Sequence, residues 1–205
     1  LTKAGTLVVY QDDARRDMLV QKAEAHGAKV ITFGLLEGAD VRASDFQVLR
    51  EAGGSPPVGG WPVGTSTHIT IQGATVPVSV IGVLGTHAAL PVVAAAAVGH
   101  AVQMSLSDIA QALSRYKPPL GRMHLIEGIK NTLIIDDTYN SSPAAVMAAL
   151  DALSLVKQKG RTIAVLGDML ELGRHSVEEQ RKIGAYAAGI VDVLCTIGFR
   201  ARDMA

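Results

Sequence analysis

The sequence predicts an α/β fold in two parts, and three observations carry that expectation. Short β-branched runs alternate with longer Ala- and Leu-rich segments along most of the chain, the rhythm of strands and covering helices. The composition is 48% hydrophobic but only 4% aromatic, so the core is built from Ala, Val, Leu and Ile, which suits helices packed on a parallel sheet. Midway, Lys117-Pro-Pro-Leu-Gly121 interrupts the pattern. Proline removes a backbone donor and restricts its predecessor, so the boundary falls there and separates residues 1–118 from 119–205.

In the first part, Thr6–Tyr10 reads as a buried strand, ended by Gln11-Asp12-Asp13. A helix over 14–26 follows, with Met18, Leu19 and Ala23 on one face, and Gly27 stops it. Lys29–Phe33 is the next strand, closing a β-α-β unit that implies parallel strands and a right-handed crossover. Residues 40–49 alternate through Val41, Ala43, Phe46 and Val48 and read as an antiparallel strand. The Gly/Pro-rich stretch 51–65, with Trp61, reads as a long hairpin loop, because strands at 67–71 and 76–80 follow it. Residues 86–102 form a small-residue helix. Ser105-Leu-Ser-Asp108 is a capping box for a helix over 109–116.

From Arg122 the order becomes strand (123–126), strand (133–136), helix (143–156), strand (162–166), helix (177–188) and strand (191–197). That is the start of a second doubly wound unit.

Composition also narrows the class. Nineteen Lys and Arg balance nineteen Asp and Glu, so no nucleic acid or anionic membrane is indicated as a partner. The single cysteine, Cys195, lies in an apolar run and reads as a strand residue rather than a nucleophile or metal ligand. With no disulfide framework and no signal peptide, a cytoplasmic location is expected. The apolar run Val83–Met104 is Ala-rich and carries His87, Pro91 and His100; it reads as a buried helix, not a membrane span.

The residues with chemical potential cluster at strand ends. Asp136 and Asp137 close the strand at 133–136 and precede a polar turn and a helix opening at Pro143. In open α/β sheets ligands sit outside the carboxyl ends of the strands. Two adjacent acids there either hold a ribose hydroxyl, a cation or a loop backbone, or act as turn and capping residues. Tyr139, Asn140 and Ser141 lie on the same loop. Gly167, Asp168, Met169, Glu171, Leu172 and Gly173 form a turn after the next strand, where Asp168 or Glu171 either meets a ligand or caps the following helix. Arg122 presents a guanidinium able to fork onto phosphate or carboxylate.

The ordered set Gly121-Arg-Met123, Asp136-Asp-Thr-Tyr-Asn-Ser-Ser-Pro143 and Val165-Leu-Gly-Asp-Met-Leu-Glu-Leu-Gly173 resembles the Mur ligase family. It is most similar to the members that add D-alanyl-D-alanine to a UDP-linked muramoyl tripeptide. The resemblance implies the back of a P-loop-type ATPase central domain with a small antiparallel subsheet, then the front of a Rossmann-like domain. It implies an ATP-dependent amide ligase of peptidoglycan precursor synthesis, working through an acyl phosphate. It assigns ATP contacts to Arg122, Asp137, Asp136 as the alternative acid, and His87. It assigns substrate contacts to Tyr139, Asn140, Ser141, Asp168, Met169 and Glu171.

Two departures qualify it. Family members usually carry asparagines facing adenine where this chain has Ala88 and Pro91, whose side chains cannot make amide hydrogen bonds. No G-x-x-x-x-G-K-[ST] match occurs in the sequence, so the phosphate loop and magnesium ligands are expected upstream, and no catalytic or metal-binding residue is assigned within the chain. The residues leave open a non-catalytic nucleotide-binding or scaffolding module, and a folylpolyglutamate-synthase-like ligase. The pairing of the last two motifs, and Met123, favour the peptidoglycan reading. Strand edges left unpaired in either part invite self-association.

Overall fold

A crossover fixes the first sheet and a hairpin extends it. The computed structural model describes residues 5–51, 60–86, 89–156 and 160–205. They fall into two compact units: the described residues of 1–49, 64–81 and 86–117, and those of 50–63, 82–85 and 118–205.

In the first unit, β1 (Thr6–Tyr10), α1 (Arg16–Ala25) and β2 (Lys29–Gly34) form the expected β-α-β unit, with β1 parallel to β2 from Thr6↔Lys29 to Tyr10↔Phe33. α1 is shorter than expected. Ala23 is its one fully buried side chain and Met18 is exposed. The sheet continues through β3 (Val41–Arg50), β4 (Pro62–Ile71) and β5 (Ala74–Ile81) in the order β1-β2-β3-β4-β5.

β3, expected to be antiparallel, begins parallel to β2 at Phe33↔Val41 and Gly34↔Arg42. Its alternation reported a buried face and carried no information on direction. The turn into it is tied by Asp40, whose Oδ2 accepts from Thr32 N and Thr32 Oγ1, both at 2.8 Å. At the far ends of β3 and β4, Glu51 N donates to Trp61 O at 3.0 Å; most of the loop expected between them lies outside the described residues. β4 and β5 pair antiparallel from Gly64↔Ile81 to Ile71↔Ala74.

α2 (Ala89–Ala101) buries Val92, Val93, Ala96, Ala97 and Gly99. A Cβ at Gly99 would sit 2.9 Å from Ile109 Cγ1, so this glycine sets the close approach of α3 (Leu106–Ser114). Ser105 Oγ accepts from Asp108 N at 3.1 Å. The Ser105 cap is real, although Asp108 answers the Ser105 hydroxyl and not its backbone N–H as a full capping box would, and the helix begins directly after Ser105 and not at Ile109.

In the second unit, β6 (His124–Glu127) and β7 (Leu133–Asp136) pair antiparallel from His124↔Asp136 to Glu127↔Leu133. A doubly wound start called for parallel strands, but the link Gly128–Thr132 is too short for a crossover. Parallel pairing appears later, between β8 (Ile163–Gly167) and β9 (Val193–Ile197), in register Ile163↔Val193 to Gly167↔Ile197. Helices α4 (Pro143–Val156) and α5 (Ser176–Ala188) share a core of Val146, Leu150, Ala164, Met169, Ile183, Ala187, Ala201 and Met204. Tyr186 OH donates to Asp151 and joins the two helices. The chain then folds into a 3-10 turn, Ala201–Met204, that no sequence pattern announced. It rests on Gly184, where a Cβ would collide with Met204 O.

Candidate functional site

The site is built where the start of β6 meets the end of β7, and each side of the junction holds the other. Gly121 has φ +71°, and a Cβ there would lie 3.0 Å from Tyr139 N, so glycine is required by conformation and by space. That approach lets Tyr139 N donate to Gly121 O at 3.1 Å. Two residues on, Met123 N donates to Asp137 Oδ1 at 3.0 Å. Between these clamps the Arg122 guanidinium lies over the Tyr139 ring, 4.3 Å from its centroid, a cation–π distance. Strand pairing thus brings together Arg122, Asp136, Asp137 and Tyr139, which the sequence separates.

The two acids have different tasks. Asp136 Oδ1 accepts from Thr138 Oγ1 at 2.7 Å and Thr138 N at 3.2 Å. The Thr138 hydroxyl, with smaller help from the Thr138 and Gly121 backbone and from His124, holds the Asp136 carboxyl below its ordinary value against an opposing desolvation. Asp137 braces the backbone of Met123 with one oxygen, and its Oδ2 has no partner among the described residues. Asn140 Oδ1 accepts from Ser141 N at 2.9 Å, a local turn. Ser142 Oγ accepts from Ala145 N at 3.3 Å and caps α4, with Pro143 at the first helical position.

The second loop follows β8 and is pinned from below. Asp168 Oδ1 accepts from Arg200 N at 2.9 Å and Ala201 N at 2.7 Å. It caps the Ala201–Met204 turn and not the helix that follows it in sequence. A Cβ at Gly198 would strike this carboxylate, so Gly198 makes the cap possible. Met169, expected to contact substrate, is fully buried in the core; its side chain packs the loop down, as long apolar side chains below a turn do. Gln180 Nε2 donates to Met169 O at 3.4 Å, and Gln180 is itself fully buried. Leu170 and Glu171 remain exposed at the tip, with Glu171 at φ +63°.

His87 and Ala88 lie outside the described residues. Gln11-Asp12-Asp13 serves a turn: Gln11 N donates to Phe33 O at 2.7 Å and Arg15 N to Asp13 Oδ1 at 2.7 Å. Among the described residues no three His, Cys, Asp or Glu side chains gather as a metal site, and no helix is long and apolar enough to cross a membrane. Sequence reasoning missed Thr138, Gln180 and Gly198. Only Gly198, a glycine directly after a strand, carried a signal.

Residues 121–205 match the family model described as "Mur ligase, glutamate ligase domain". The UDP-N-acetylmuramoyl-tripeptide–D-alanyl-D-alanine ligase of Escherichia coli (strain K12) is 36% identical over 131 residues, covering 62% of this chain and 28% of that protein. The ligase of the same description from Bacillus subtilis (strain 168) is 35% identical over 119 residues, covering 58% of this chain and 26% of that protein. A crystal structure of MurF from Acinetobacter baumannii superposes with a TM-score of 0.80 at 27% identity, covering 98% of this chain and 40% of that one. The chain therefore spans about a quarter of the length of the curated relatives it matches, and its residues 121–205 carry the match to a Mur ligase domain.

Proposed function

We propose that this chain forms part of an ATP-dependent amide ligase of peptidoglycan precursor synthesis, one that adds D-alanyl-D-alanine to UDP-N-acetylmuramoyl tripeptide. The observation that carries the reading is the double clamp of Gly121–Met123 onto Asp137–Tyr139, inside the stretch that matches the family model. In the proposed reaction a peptide carboxylate oxygen attacks the γ-phosphorus of ATP and ADP leaves. The amine of D-alanyl-D-alanine then attacks the acyl phosphate carbon, loses a proton and expels phosphate. Magnesium would stabilise charge in the first step. Its ligands and the phosphate loop belong to other residues of such a ligase.

Within this chain, residues 1–118 are proposed as part of the ATP-binding central domain and 119–205 as part of the C-terminal domain. Asp137 Oδ2 is free to accept from ribose hydroxyls, with Arg122 beside the nucleoside and Asp136 supporting through Thr138. His87 is retained on the ATP side by resemblance alone. Asn140, Ser141 and Glu171 are assigned to the acceptor side, while Asp168 shapes that loop from beneath. A cytoplasmic setting fits the reading. We also propose that the chain self-associates through β8–β9. One face of this parallel pair packs the core, while Val165 and Ile197 on the other are 60% and 64% exposed, and parallel strands are ordinarily covered on both faces.

Grafting tests the function. In the E. coli relative, the aligned segment is replaced by this chain's, and phosphate release is followed with UDP-N-acetylmuramoyl tripeptide, ATP and D-alanyl-D-alanine. The expected outcome is phosphate release that depends on the dipeptide and is lost on Asp137→Ala. A chimera that folds and binds its substrates but releases no phosphate would refute it.

A further inference from the structure

The sheet of the first unit leaves a gap beside β2. β3 meets β2 only at Phe33↔Val41 and Gly34↔Arg42, so among the described residues no strand pairs with the outer edge of Val30 and Ile31. A cleft of about 530 Å³ opens there. Val30 and Ile31 give it an apolar wall, and the β4–β5 turn Gln72-Gly73 and the last turn of α2, which carries His100, also bound it.

Three polar groups of this cleft hold unused hydrogen-bonding capacity. The Arg42 side chain is 31% exposed and engages one of its five N–H donors, in a 3.3 Å bond from Nη1 to Glu37. The Glu37 side chain is 94% exposed. An ion pair so open to water contributes little, which leaves the guanidinium available to a second carboxylate. Asp40 commits Oδ2 to Thr32, while its Oδ1 has no partner among the described residues. The half-buried His100 imidazole has none there either.

Charge and spacing select the ligand. A guanidinium alone favours an anion and a carboxylate alone a cation; side by side they favour a molecule that bears both charges. Asp40 and Arg42 flank Val41, and at extended spacing their side chains leave one face of the chain about 7 Å apart. A carboxylate and an ammonium on one carbon bridge that span, with a charge-assisted hydrogen bond of about 2.8 Å at each end. Charges separated by a longer spacer overshoot it. We propose that this cleft binds a small aliphatic α-amino acid. Arg42 takes its carboxylate, Asp40 Oδ1 its ammonium and Val30 and Ile31 its side chain, with the His100 ring as the third polar contact.

The test is an NMR titration of the nitrogen-labelled 205-residue chain, followed at the amides of Gly38, Asp40 and Gly73. The probes are racemic alanine, 4-aminobutyrate, and an equimolar mixture of acetate and methylamine. Alanine is expected to move these signals with a dissociation constant on the order of 1 mM. The separated-charge and split-charge probes should bind at least about 10-fold more weakly. Arg42→Gln and Asp40→Asn should each weaken alanine by roughly 10- to 150-fold, as loss of a charge-assisted bond requires. Retention of the β1–β2 amide signals checks that each variant is folded; if one is not, the other decides. Signals unmoved by alanine, an equal response to the acetate and methylamine mixture, or undiminished alanine binding by a folded variant would each overturn the proposal.

Discussion

Removing the Asp168 carboxylate should loosen the end of the chain before it touches any ligand. Asp168 Oδ1 accepts two backbone N–H bonds, from Arg200 and Ala201, and these dock a turn whose Ala201 and Met204 side chains are buried. A hydrogen bond to a charged acceptor contributes about 1.5–3 kcal/mol. Arg200 is exposed and its N–H can be rehydrated, so most of its share is recovered by water; Ala201 N is partly buried and keeps most of its own. The expected net loss for Asp168→Ala is about 2–3 kcal/mol, or roughly 30- to 150-fold in the population of the undocked turn.

Asp168→Asn keeps an acceptor oxygen and should cost about 1 kcal/mol. Limited trypsin digestion reads this directly, because Arg200 and Arg202 lie in and beside the turn, and cleavage follows the open population when closing is fast. Cleavage after these arginines should accelerate by the stated factor in the Ala variant and by roughly 5-fold in the Asn variant. Equal cleavage of wild type and Asp168→Ala would refute the argument. It would return Asp168 to the ligand-facing role that its place in Gly167–Gly173 suggested.

Two other expectations follow from the same geometry. Because Thr138 Oγ1 is the largest cause of the depressed Asp136 carboxyl, Thr138→Val should raise its midpoint in a carbon-detected titration toward the ordinary Asp value. The depressed folded-state value means that Asp136 contributes stability above the unfolded carboxyl range and loses it as pH falls through the folded-state value; an unmoved midpoint would sink this account. Sedimentation velocity should show concentration-dependent association that Val165→Thr and Ile197→Thr reduce, and a wild-type monomer at all concentrations would dismiss the open-face interface.

The local elements were largely legible. The strand, turn and helix around Asp136 and Pro143, the Ser105 cap and the strand at Ile163 are written in periodicity and turn chemistry, which act over a few neighbouring residues. The direction of β3 was not legible, because alternation marks which face is buried and not which neighbour pairs. The antiparallel β6–β7 pair is readable in the length of Gly128–Thr132, which is too short for the crossover that a doubly wound unit requires. Position at strand ends marked the Asp136–Asp137 pair and Asp168 as residues of interest, and the motif resemblance added Arg122, without saying what each does.

That division of labour came from pairing across the chain. Strand pairing carries Tyr139 to Gly121 and Met123 to Asp137, and the return of residues 198–204 onto α5 turns Asp168 into a cap and Met169 into core. By itself the sequence determined which segments are strands and helices and which residues carry reactive groups, since those follow from near neighbours. The tertiary structure alone decided which carboxylate oxygen is already engaged and which remains free. Hydrogen-bond partners and burial depend on residues that meet only after the chain has folded.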